Sequence, residues 1–125
     1  NHMGSRFTAD RDGMAPVLAE LRRRGLLWLD SRTTADTVGP ALARHLDLPA
    51  AGRDVFLDNT QTVAAVQAQL ARTEAVARAT GTAIAIGHPH DATLSALAGW
   101  LPEMQRRGFV LVPVSAVVRA RCACG

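Results

Sequence analysis

The densest group of reactive side chains lies where an apolar run stops. Ala83-Ile-Ala-Ile86 ends at Gly87 and is followed at once by His88, Pro89, His90 and Asp91. Imidazole changes charge near neutral pH and binds metals, so a histidine held at a sheet rim can move a proton or ligate a cation. The apolar run reads as a buried strand and the turn after it as such a rim, where α/β folds place their chemistry. His88, directly after the strand and the glycine and before a proline, is the stronger candidate. His90 stands beside the start of the next helix, with solvent as the competing destination for its ring. Three further groups follow apolar runs in the same way: Asp30-Ser31-Arg32-Thr33, Asp58-Asn59 and Ser115. If the runs are parallel strands, their carboxyl ends share one rim. Carboxylates, imidazoles and a guanidinium then face one cleft, an inventory suited to acid–base or metal-assisted hydrolysis.

Each of these residues has a structural reading as well. Loops that lead from strand to helix end at a helix N-cap, and N-caps favour Asp, Asn, Ser and Thr. Asp36, Asn59, Asp91 and Ser115 fit that role without further function. Asp30 and Asp58 come before the capping position, where structure and chemistry explain them equally well. His45, beside Arg44 late in a predicted helix, suits an exposed helix terminus. His2 carries no signal on its own.

The elements that must position these groups alternate along the chain. The pattern predicts a helix from Thr8 or Ala9 to Arg24, with its regular part starting near Met14 and Pro16 in the first turn, stopped by Gly25. A strand at Leu26–Leu29 follows, then a helix over Asp36–Leu46 with Pro40 near its start. Val55–Leu57 reads as the second strand and Gln61–Thr80 as the longest helix, capped by Asn59 or Thr60, lined by Val63, Val66, Leu70 and Ala77, and ended by Gly81. Ala83–Ile86 is the third strand. Ala92–Arg107 is the next helix, with Leu94, Leu97, Leu101 and Met104 on one face. Phe109–Val114 is the fourth strand, and a short helix begins over Ser115–Arg119. The strands are apolar on both faces, as in a parallel sheet covered by helices. The fold class is therefore α/β, with alternating β-α units and a parallel sheet. Four such units are half of a closed barrel, which takes about 250 residues.

Composition narrows the function. The chain has 125 residues, 48% of them hydrophobic, enough for one domain or part of a larger one. No apolar run approaches the roughly 20 residues of a membrane span, and no secretory signal opens the segment. The net charge is +3, and all 14 basic residues are arginine. The clusters Arg22-Arg23-Arg24 and Arg106-Arg107 precede Gly25 and Gly108, at predicted helix ends where cations suit the negative terminus. With 4% aromatic residues and no tyrosine, a base-stacking platform is poorly supplied, so nucleic acid is not the expected partner. Cys122 and Cys124 form a C-x-C at the end of the sequence, short of the ligands a zinc framework needs, and residues 119–125 are expected to be an unstructured tail.

Several segments together resemble a known family. Asn1-His-Met-Gly-Ser-Arg-Phe-Thr8, Leu29-Asp-Ser-Arg-Thr33, Asp54-Val-Phe-Leu-Asp-Asn59, Ala83-Ile-Ala-Ile-Gly-His-Pro-His90 and Leu111-Val-Pro-Val-Ser115 are similar, in order and approximate spacing, to the motif series of the divergent polysaccharide deacetylases. The resemblance covers residues 1–118 and makes His2 part of a motif. It implies the carboxyl half of an irregular (β/α) barrel, the fold of the wider polysaccharide deacetylase superfamily. Those enzymes hydrolyse the acetamide of N-acetylated sugars with a divalent metal, usually zinc.

By that resemblance His88 matches the strand-end histidine that protonates the leaving amine. His2 corresponds to a metal-facing imidazole, and Asp30 to an orienting catalytic carboxylate. Arg32, Asp58 and His90 would contact substrate or steady the groups that do. The resemblance also implies that an Asp-Asp motif carrying base and metal ligand, with a further histidine motif, belongs to an amino-terminal half outside this segment. The implied partners are an N-acetylated polysaccharide or envelope glycan and that missing half. The implied location is the periplasm or envelope of a Gram-negative bacterium. The competing expectation is a glycan- or protein-binding module that keeps the fold without turnover.

Overall fold

A computed structural model describes the protein from Gly4 to Cys122. Its backbone is α/β, with short parallel strands between helices. The chain divides into two compact units, one running to Arg53 and resumed from Val114, the other Asp54–Pro113.

In the first unit, α1 (Ser5–Thr8) is a single turn and α2 spans Arg11–Arg23. Asp10 caps α2 through its side chain, which accepts from the backbone N–H groups of Asp12 and Gly13. The helix therefore starts three residues before Met14, and Pro16 lies inside it, past the first turn, where it removes one backbone donor. Strand β1 is Trp28–Asp30, later than expected, and Leu26 is exposed. Helix α3 is Gly39–His45, with Val38 at its N-cap and Pro40 in its first turn. Strand β2, Ala50–Gly52, has no β-branched residue and was invisible to propensity. It exists because it pairs with β1 in parallel, Trp28 opposite Ala50 and Asp30 opposite Gly52. Met14, Leu18, Trp28, Leu42, Ala43 and Leu48 form this unit's core. Helix α6, Val114–Arg121, runs into the stretch expected to be an unstructured tail, and Cys122 Sγ lies 3.6 Å from the Ala50 carbonyl oxygen.

In the second unit, β3 (Val55–Phe56) pairs in parallel with β4 (Ala85–Ile86). Helix α4, Val63–Thr80, links them. Thr62, not Asn59 or Thr60, caps it by accepting from Ala65 N–H, and Gly81 closes it with a left-handed φ of 84°. Helix α5, Asp91–Met104, follows β4 and packs on α4. Val55, Leu57, Val66, Leu70 and Ala96 form the core. The buried face of α5 carries Thr93, Ala96 and Met104, whereas Leu94 and Leu101 are exposed. The stripe read from the leucines is thus rotated from the one that packs. Buried Glu74 is satisfied by Trp100 Nε1 at 2.8 Å and Arg107 Nη1 at 2.9 Å.

The fourth expected strand does not form. Residues 109–113 have no regular structure, and Val110 is 80% exposed. An apolar run becomes a strand only where a neighbour completes its backbone ladder. None of the strands among the described residues pairs with it, and Pro113 withdraws a further donor.

Candidate functional site

The register of the second sheet builds the site. Val55 faces Ala85 and Phe56 faces Ile86, and Leu57 N–H donates to Ile86 O at 2.9 Å. Carried two residues beyond the last paired positions, this register sets Asp58 opposite His88. His88 Nδ1 lies 3.0 Å from Asp58 Oδ1. The His88 backbone N–H donates to Asp58 Oδ2, and Thr93 Oγ1, from the first turn of α5, donates to the same oxygen at 3.0 Å. The Asp58 side chain is 0% exposed and that of His88 33%. The result is a buried anion behind a solvent-accessible imidazole.

Burial alone would push the Asp58 carboxyl up. The hydrogen bonds from the His88 backbone, the His88 ring and Thr93, with the His88 charge, outweigh it and hold the carboxyl below the ordinary carboxylate range. Two features fix the imidazole further. Phe56 meets it edge to face, at 90° with ring centroids 5.6 Å apart. Gly87 permits the close approach of Asp58: a Cβ there would lie 3.2 Å from Asp58 Oδ2 and 3.2 Å from Leu57 Cβ.

His90 is the N-cap of α5, with an extended backbone and no side-chain capping bond. Asp91, expected to cap, is the first helical residue instead. His90 N–H donates to His88 O at 2.8 Å, and the two rings stand 5.6 Å apart at 41°. Donor atoms of Asp58, His88 and His90 all lie within 4.8 Å of one another. Two imidazoles and a carboxylate are a donor set that suits zinc, which such sites bind with a fourth position open.

Of the remaining candidates, Asp30, the last residue of β1, and Arg32, in the β1–α3 loop, belong to the first unit. Asp30 is fully buried: Oδ1 accepts from Arg32 N–H at 2.8 Å and Oδ2 from Thr37 Oγ1 at 2.9 Å. That pattern folds the loop and lets Arg32 adopt a left-handed φ of 53°. Arg53 adds bonds from Nε to Ser31 O at 2.7 Å and from Nη2 to Arg32 O at 3.1 Å. Burial, then the nearby Arg32 charge, pull the Arg53 guanidinium below its ordinary value against the opposing pull of Asp30. His2 lies outside the described residues. His45 is exposed in the last turn of α3. Thr93, Phe56 and Thr37 were missed by sequence reading. For Thr93 a signal existed, a hydroxyl on the inward face of a first helical turn just after two histidines.

Comparison with known proteins agrees with the motif series. The sequence profile of a family described as divergent polysaccharide deacetylase matches residues 1–118. The protein YibQ of Escherichia coli, described as uncharacterized, is 41% identical over 97 residues, 78% of this chain and 30% of its own length. An uncharacterized protein of Haemophilus influenzae is 39% identical over 104 residues, 83% of this chain and 37% of its own. The crystal structure of the uncharacterized protein ATU2773 from Agrobacterium tumefaciens superposes with a TM-score of 0.91 at 33% identity, over 94% of this chain and 48% of that one. The chain thus spans about a third of the curated relatives and about half of the solved one.

Proposed function

This chain belongs to the divergent polysaccharide deacetylase family, and we propose that it carries the proton-donating wall of a metal-dependent N-deacetylase acting on an N-acetylated envelope glycan. The observation that supports this reading most is the Asp58–His88 pair, a buried carboxylate 3.0 Å from Nδ1 of a partly exposed imidazole. Breaking an acetamide C–N bond expels an amine, a poor leaving group until its nitrogen is protonated. With Nδ1 turned to Asp58, His88 presents Nε2 as the atom that delivers the proton. The Asp58 anion stabilises the imidazolium before transfer and holds the ring in one orientation, and Phe56 restricts its tilt. When bound, a divalent cation such as zinc supplies carbonyl polarisation and a water of lowered pKa. This chain's contribution to holding it in the deacetylase site is proposed to be His2, with further ligands and the base outside residues 1–118. Asp30 is proposed to orient the loop that presents Arg32 to substrate. Location in the periplasm or envelope belongs to the same proposal. Its support is the relationship to proteins of Gram-negative bacteria.

The test is acetate release from an N-acetylated oligosaccharide by the full-length protein. Wild type should release acetate in a chelator-sensitive reaction. His88→Ala should lower the rate by about 10²–10⁴-fold, the usual range for a lost general acid. Undiminished release by a folded His88→Ala protein would refute the role. The competing reading is a glycan- or protein-binding module that keeps the fold without turnover. A binding module would retain glycan without releasing acetate, with or without added metal.

A further inference from the structure

We propose that Arg32 and Arg53 form a site for a singly charged carboxylate on the glycan, at the rim of the β1–β2 sheet. The carboxylate site stands on the geometry of the first unit; that its carrier is an N-acetylated glycan rests on the deacetylase reading. The parallel register pairs Asp30 with Gly52. The two arginine-bearing segments therefore leave adjacent strands side by side at their carboxyl ends, where open α/β sheets bind ligands. Arg53 N–H donates to Asp30 O at 2.9 Å. The Arg53 guanidinium reaches back to the β1–α3 loop, through Nε to Ser31 O and Nη2 to Arg32 O. Those carbonyls fix the group in place and leave its charge intact. Asp30, fully buried, offsets one of the two arginine charges, and one remains. A carboxylate carries a single charge and meets a guanidinium fork with two oxygens.

The backbone of Arg32 supplies an independent argument. Its φ of 53° is a conformation that Gly adopts freely and Asn more readily than a long side chain. The sequence nevertheless places an exposed arginine there. The arginine stem lies over Gly52, where a Cβ would stand 3.2 Å from Arg32 Cδ and 3.6 Å from Cγ. Glycine inside a strand weakens it and often marks a close approach. Two positions thus give up local stability, and the gain is the placement of one guanidinium near another. Like charges held near each other favour an anion that reaches both. The electrostatics agree: burial, then the Arg32 charge, hold Arg53 below its ordinary value against the pull of Asp30, and a bound carboxylate would pull the other way.

Two probes that differ in the charge alone test the site: N-acetylmuramic acid, an N-acetylated sugar with a carboxylate, and its carboxamide. Each is titrated into the full-length protein, with the arginine Nε–H resonances as the readout. The acid should bind about tenfold more tightly than the amide or better, move the Arg32 and Arg53 signals, and lose part of its advantage in high salt. Arg32→Asn, suited to the left-handed backbone, should keep the circular dichroism of the wild type and lose the preference for the acid. Arg32→Lys keeps the charge and most of the stem without the planar fork, and should reduce the preference several-fold without abolishing it. Equal binding of acid and amide by the wild type, a preference undiminished in both variants, or shifts away from Arg32 and Arg53 would overturn the site. Dimethyl phosphate that displaces the acid at equal concentration would overturn the carboxylate as its ligand and point to a phosphodiester. Preference for the acid in a protein that releases acetate from no N-acetylated oligosaccharide would leave the site standing and refute the deacetylase reading. Acetate release without that preference would do the reverse.

Discussion

At the scale of single residues, one carboxylate organises the candidate site. Asp58 accepts three hydrogen bonds, from the backbone and ring of His88 and from Thr93, while its own side chain is sealed from solvent. Replacing it by Asn keeps the shape and turns an amide toward donors. We expect Asp58→Asn to cost about 1–3 kcal/mol at pH 7, the range for orphaning buried donors. The carboxyl titrates below its ordinary value of 3.8 in the folded protein. Its stabilisation is therefore complete above that range and lost as pH falls through the lower folded value. Urea unfolding at pH 7 and at pH 3 checks this: the gap between wild type and Asp58→Asn should narrow at pH 3, and an equal gap would contradict it. His88 was legible in the sequence because histidine has no capping role after a strand and a glycine. Asp58 was only half legible, since nothing short of the strand register shows that it faces His88. Asp30 read as strongly as Asp58. The structure shows its two oxygens bonded to Arg32 N–H and to Thr37, partners that belong to loop folding.

At the scale of elements, parallel pairing does the positioning. Strands β3 and β4 are two residues each, yet their register alone brings together groups 30 positions apart in sequence. Helix α5 then supplies His90 at its cap and Thr93 in its first turn. In the other unit, close packing plays the comparable part. A Cβ on Gly39 would lie 1.7 Å from Trp28 Cη2, inside the indole itself. Gly39→Ala should therefore displace Trp28 and destabilise the protein by about 3 kcal/mol or more, at or above the usual cost of overpacking. Thermal or denaturant unfolding measures it, and a neutral variant would show that α3 shifts freely from β1. The helices were legible from apolar period and glycine stops to within a few residues. Their starts were misplaced because the true caps, Asp10, Thr62 and His90, compete with equally plausible neighbours. Strand β2 was not legible, because Ala50-Ala-Gly52 gains its conformation only from the partner it pairs with. The strand expected at Phe109–Val114 failed for the converse reason, apolar composition without a pairing neighbour.

At the scale of the whole molecule, the matched family and the solved relative account for nearly all of this chain, and the chain for half or less of each relative. Exposed Val110, Leu111 and Val112 form the kind of apolar surface that further protein covers in a larger domain. In the proposed function this segment is one wall of a site, with His88 as its proton donor. That division makes a specific kinetic prediction. If His88 protonates the leaving group, its importance must depend on how much the leaving group needs a proton. The most direct measurement compares wild type and His88→Ala full-length protein on two substrates, an N-acetylated oligosaccharide and p-nitrophenyl acetate, whose phenolate departs unprotonated. His88→Ala should lose about 10²-fold or more in kcat on the amide and less than about tenfold on the ester. Equal losses on both would contradict a proton-donating His88 and leave it a residue that only shapes the site.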